Sequence, residues 1–169
     1  MELNYRMVDR QDMSEILATI PYDQEFALRV TGTSMVPFLL NRRSTVFLVR
    51  QQTYTPRVGD IVFFRRLRDG SYVLHRINAI KKDKSGRTWL VINGDAQFWR
   101  ETILPSQICA HVTHFIRTER DIRMSERKCR FWAAVWRPLR FIHAPVARLY
   151  YYWTRLPYKL GIKKEQPKK

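Results

Sequence analysis

Residues 60–92 read DIVFFRRLRDGSYVLHRINAIKKDKSGRTWLVI, and this run decides the fold class. Stretches 60–65, 71–80 and 88–92 are rich in Val, Ile, Phe, Tyr and Thr, which suit a pleated, half-buried surface. Asp69-Gly70 separates the first two and Lys84-Ser85-Gly86 the second two; both contain residues that accept the tight backbone of a hairpin. The run predicts two consecutive hairpins. Working outward, the same composition recurs at 45–50 and 108–116, and Phe26, Leu28 and Val30 alternate as one apolar strand face. Before that strand, a short helix is expected over 15–20, capped by Asp12 or Ser14 and stopped by Pro21. The chain therefore reads as mainly β over 26–117, with 1–25 as a helical lead-in.

Composition narrows the class. With 169 residues, 45% apolar and 13% aromatic, the chain has material for one domain with a real core and is too apolar for intrinsic disorder. Cys109 and Cys129 form at most one bridge and stand in no C-x-x-C or metal-ligand spacing, which disfavours a disulfide framework and fits a reducing compartment. Met1-Glu2-Leu3-Asn4-Tyr5-Arg6 leads into no apolar run, so no signal peptide is expected. The most apolar stretch, 131–153, is interrupted by Arg137, Arg140 and Arg148. Each Arg costs roughly 2.5–3.5 kcal/mol at a bilayer centre, so no transmembrane helix is expected there. The expected location is cytoplasmic, peripheral on the inner membrane face at most.

Charge is unevenly placed. The formal net charge is +16, of which residues 118–169 carry +10. Beyond 118 the pattern is helical and amphipathic, broken by Pro138 and Pro145. Arg123, Arg127, Arg130, Arg137, Arg148 and Arg155 fall on one helical stripe, with Trp132, Val135, Trp136 and Leu139 opposite. Cations opposite aromatic rings suit a helix lying on an anionic membrane surface, while packing of the apolar face on the β-domain is the simpler competitor. Nucleic acid is disfavoured, since no helix-turn-helix precedes the β-rich region.

Three short segments carry chemistry: Gly32-Thr33-Ser34-Met35-Val36-Pro37; Val58-Gly59-Asp60 leading to Leu74-His75-Arg76-Ile77; and Asn93-Gly94-Asp95. In this order they resemble the type I signal peptidase superfamily, within it the histidine-type branch of archaeal and endoplasmic-reticulum signal peptidases. The resemblance covers roughly residues 26–117. It implies a signal-peptidase-like β-rich fold and a serine endopeptidase that cleaves a leader or precursor peptide without a cofactor or metal. It matches Ser34 to the nucleophile, His75 to the general base and Asp95 to an acid of the site. Glu101 lies six residues beyond Asp95, where members of the family often carry a second acid, and stands as an accessory acid. The oxyanion hole is expected from the backbone N–H groups of Thr33 and Ser34.

The residue types make chemical sense. A serine hydroxyl needs a base within hydrogen-bond reach, an imidazole suits that work near neutral pH, and a carboxylate fixes its tautomer. Activity is expected to rise as pH passes roughly 6 to 7, the ordinary histidine range. Lys81 and Lys82 are weaker bases here, because a catalytic lysine must be desolvated and two adjacent lysines look solvated. Each residue also has a plainer reading: Ser34 as cap of a helix starting near Val36, His75 as a satisfied sheet histidine, Asn93-Gly94 as a hairpin turn with Asp95 exposed. Cys109, His111 and His114 are too few for a metal site. The same fold without turnover, as a peptide-binding or membrane-adaptor module, is the alternative function.

Overall fold

The apolar runs and turns assemble into one antiparallel sheet of eight strands in a computed structural model that describes residues 10–117, 120–125, 127–142, 145, 149 and 152. The strands are β1 (Glu25–Arg29), β2 (Ser44–Val49), β3 (Ile61–Arg65), β4 (Tyr72–Lys82), β5 (Thr88–Asn93), β6 (Glu101–Ile103), β7 (Ile108–Arg117) and β8 (Arg120–Arg123). Their order is β1-β2-β7-β3-β4-β5-β6, with β8 also paired to β7. The fold is mainly β, with α1 (Arg10–Thr19) before the sheet and α2 (Arg127–Trp136) after it.

Strand β3 explains the apolar run at its heart. Ile61 and Phe63 enter one buried cluster with Leu48, Val112, Met35 and Leu39, while Val62 and Phe64 enter a second with Ile77, Leu90 and Ile92. A strand buried on both faces needs no polar alternation. Each such side chain contributes about 1.5–3 kcal/mol by leaving water.

Three boundaries differ from the sequence reading. The first helix already covers Arg10–Thr19, so Asp12 lies within it and not ahead of it, and Leu17 packs in the first cluster. Residues 120–123 pair with β7 instead of opening the helical extension. Only Ile122 of that strand is half-buried, so its pattern carries no strand signal of its own. Three-residue β6 was equally silent, being recruited by pairing with β5. The extension itself bends as Pro138 requires: α2 ends at Trp136 and a 3-10 stretch follows over Arg137–Ile142.

Candidate active site

Ser34 lies on the connection between β1 and β2, which makes turns and not the helix expected after it: Val36 N–H bonds to Thr33 O at 3.3 Å and Leu39 N–H to Met35 O at 2.9 Å. Gly32 takes φ +93, open to glycine at little cost. The loop is anchored at several points. Met35 and Leu39 are in the core, Arg117 donates to Pro37 O at 2.7 Å, and Ala96 N–H donates to Ser34 O at 2.7 Å. Among the described residues, the N–H groups of Thr33 and Ser34 and the Ser34 hydroxyl donate no hydrogen bond.

The Asn-Gly-Asp segment has a structural reason beyond a turn. A Cβ on Gly94 would lie 2.4 Å from Ser34 O and 2.9 Å from Ser34 Cβ, so only glycine lets the end of β5 approach the serine loop this closely. Asn93 fixes the connection by donating to Gly94 O at 3.0 Å and Gln97 O at 2.8 Å.

His75 and Arg76 are neighbours on β4 and project to opposite faces. Arg76 is 1% exposed; its Nε and Nη2 each donate to the Asp95 carboxylate at 2.8 Å. Its Nη1 donates to Gly59 O at 2.9 Å, and its guanidinium lies 4.9 Å from the Phe38 ring centroid. The Val58-Gly59-Asp60 segment thus receives Arg76, and Asp60 in turn accepts from the Tyr54 hydroxyl at 2.6 Å. Asp95, expected to orient the imidazole or to stand exposed, is buried and engaged by Arg76 on both oxygens.

The carboxylate that meets His75 is Glu101, whose Oε1 lies 3.4 Å from Nδ1. That approach lacks hydrogen-bond geometry, and Nδ1 is buried with no hydrogen-bond partner among the described residues. Glu101 is itself held by Arg66, through Nε and Nη2. The ring is 1% exposed, beside Phe64. Burial is the main cause that pushes the imidazole down to about 4; Glu101 pulls it up, Arg66 down and Asp95 up by less. His75 is therefore neutral at pH 7, and the expected titration between 6 and 7 gives way to one well below it.

The structure thus brings Ser34 to Gly94-Asp95-Ala96, and His75 to Glu101, at adjoining positions: Asn93, which precedes Gly94, pairs with Arg76, which follows His75. No hydrogen bond joins Ser34 to His75 among the described residues. The residue the motif reading could not rank was Glu101. Its signal was the six-residue offset from Asp95.

The other candidates lie elsewhere. Lys81 and Lys82 extend β4 and are exposed. His111 stacks on Tyr54 at 4.3 Å and His114 on Phe47 at 4.2 Å. Among the described residues no three His, Cys, Asp or Glu side chains are grouped to hold a metal ion. Of the arginine stripe, Arg123 lies on β8 and Arg127 and Arg130 are exposed on α2, while Arg148 and Arg155 fall outside the described residues. Among the described residues no helix is long and apolar enough to cross a membrane. No family model, curated protein or solved structure matches the chain.

Proposed function

We propose that this chain is a serine endopeptidase of signal-peptidase type in which Ser34 is the nucleophile, His75 the general base and Glu101 the carboxylate that steadies the imidazolium. The observation that carries this reading is a buried, neutral His75 whose Nδ1, without a hydrogen bond among the described residues, faces Glu101 at 3.4 Å. A neutral imidazole that turns Nδ1 toward a carboxylate leaves the other nitrogen, Nε2, to act as the base. Asp95 then belongs to the frame, fixing Arg76 behind the serine loop.

In the reaction, the Ser34 hydroxyl adds to the scissile carbonyl as its proton passes to His75 Nε2. The N–H groups of Thr33 and Ser34, which donate no hydrogen bond among the described residues, receive the oxyanion, a contribution of about 3–4 kcal/mol for one donor. The imidazolium protonates the leaving amine, and water, deprotonated by the same ring, releases the acyl group from Ser34. Catalytic hydrogen bonds often tighten only when substrate is bound, which accommodates the missing Ser34–His75 bond. The substrate class is a leader or precursor peptide. The reading sets the reaction on the cytoplasmic side, where a free thiol such as Cys109 stays reduced and the basic chain meets the anionic leaflet.

The test is incubation of the full chain with a diverse mixture of unstructured peptides, with new N-termini read by mass spectrometry. Cleavage by the wild type that disappears in both Ser34→Ala and His75→Ala is expected. Peptides that bind but are never cut, or products that persist in Ser34→Ala, would replace the peptidase with the non-cleaving adaptor or with a contaminant.

A further inference from the structure

Helix α2 divides its surface in a way the sequence pattern did not anticipate. Ala133 is buried, and Trp136 turns inward, its Nε1 donating to Asp95 O at 2.8 Å and its ring meeting Phe38 edge-on at 6.1 Å. Phe131, Trp132 and Val135 are 61%, 59% and 36% exposed, Phe131 at the edge of a cleft between α2 and the sheet. At 3.6 residues per turn these three cover an arc of about 100° on the side of the helix left open to solvent. Exposed Arg127 borders that arc, exposed Arg130 lies about 100° from Phe131 on the same helix, and Arg120 and Arg123 are exposed on β8 just before it. Leu149 and Tyr152 are exposed further on, at 66% and 63%.

We infer that this face of α2 docks on an anionic lipid surface. Aromatic rings seat at the headgroup level and arginines pair with lipid phosphates and carboxylates, the two contributions that hold an interfacial helix. Charge selects this occupant over a second copy of the chain, because two copies at +16 would meet through arginine-bordered faces of like sign. The inference does not rest on the peptidase reading. It adds to it a geometric consequence: Trp136 ties the docked helix to the Asp95 loop that supports Ser34, so docking sets the serine loop at a fixed place relative to the bilayer.

The experiment is co-sedimentation of the full chain with phosphatidylcholine vesicles, with and without phosphatidylserine, at low and high salt. Binding to the anionic vesicles alone is expected, weakening as salt rises. Phe131→Ser/Trp132→Ser, checked by circular dichroism and thermal melting to retain the fold, should lower the partition coefficient at least about tenfold. Arg123→Glu/Arg127→Glu/Arg130→Glu should abolish the preference for phosphatidylserine. Ser34→Ala should partition as the wild type does, so a lost peptidase activity and a lost docking face are told apart. Equal partition of the aromatic variant and the wild type would overturn the inference. So would equal binding to neutral vesicles, or an aromatic variant that loses only self-association or single-stranded DNA binding.

Discussion

At the scale of single residues, the most consequential quantity is the proton affinity of His75. Its imidazole takes a proton near 6.5 in the unfolded chain and near 4 in the folded one. Between those values the unfolded state binds more protons, so this share of stability is complete above about pH 6.5 and is lost as pH falls to about 4. The loss amounts to about 3 kcal/mol. Urea unfolding from about pH 7 down to about pH 4.5 should show it, and His75→Gln should flatten the same series. The peptide-cleavage rate should accordingly rise near pH 4 and not between 6 and 7. Gly94→Ala is the second residue-scale prediction. The added methyl meets Ser34 O at 2.4 Å, so the serine loop must move, and kcat/KM should fall at least about tenfold while the fold persists by circular dichroism. Ser34, His75 and Gly94 were legible as residue types in ordered motifs. The division of labour between Asp95 and Glu101 was not, because two carboxylates six residues apart differ only in which cation claims them.

A buried ion pair ties elements together around the site. Arg76 on β4 and Asp95 after β5 are both nearly inaccessible, and the pair bridges the two strands to Gly59 and Phe38. Removing one partner leaves an uncompensated buried charge. Arg76→Met should therefore cost about 3–5 kcal/mol by urea denaturation. Arg76→Met/Asp95→Leu should cost clearly less than the sum of the two single changes. The same scale explains what periodicity could and could not reveal. Continuous apolar runs such as Ile61–Phe64 (61–64) announced a strand without saying which residue faced which cluster. In α2, aromatic residues announced an amphipathic helix, but their spacing alone assigned Trp132, Val135 and Trp136 to one face. Contact with Asp95 and Phe38 turned only Trp136 inward.

At the scale of the whole molecule, the segment after residue 117 completes the sheet and does not merely follow it. β8 covers His114–Arg117 (114–117) of β7, and Trp136 caps the Asp95 carbonyl. A chain ending at Arg117 uncovers a strand edge and frees that carbonyl. It should melt several degrees lower by calorimetry and show concentration-dependent scattering. The sequence by itself determined the mainly β class, the central hairpins, the kinked basic extension and the three motifs, because each is a local pattern of side-chain size, polarity and turn chemistry. Tertiary structure alone decided that short β6 and β8 exist, that Asp95 belongs to Arg76 and Glu101 faces His75, and that the imidazole is neutral. Those outcomes depend on burial and on which groups meet across strands, and neither is encoded in the spacing of residues along one segment.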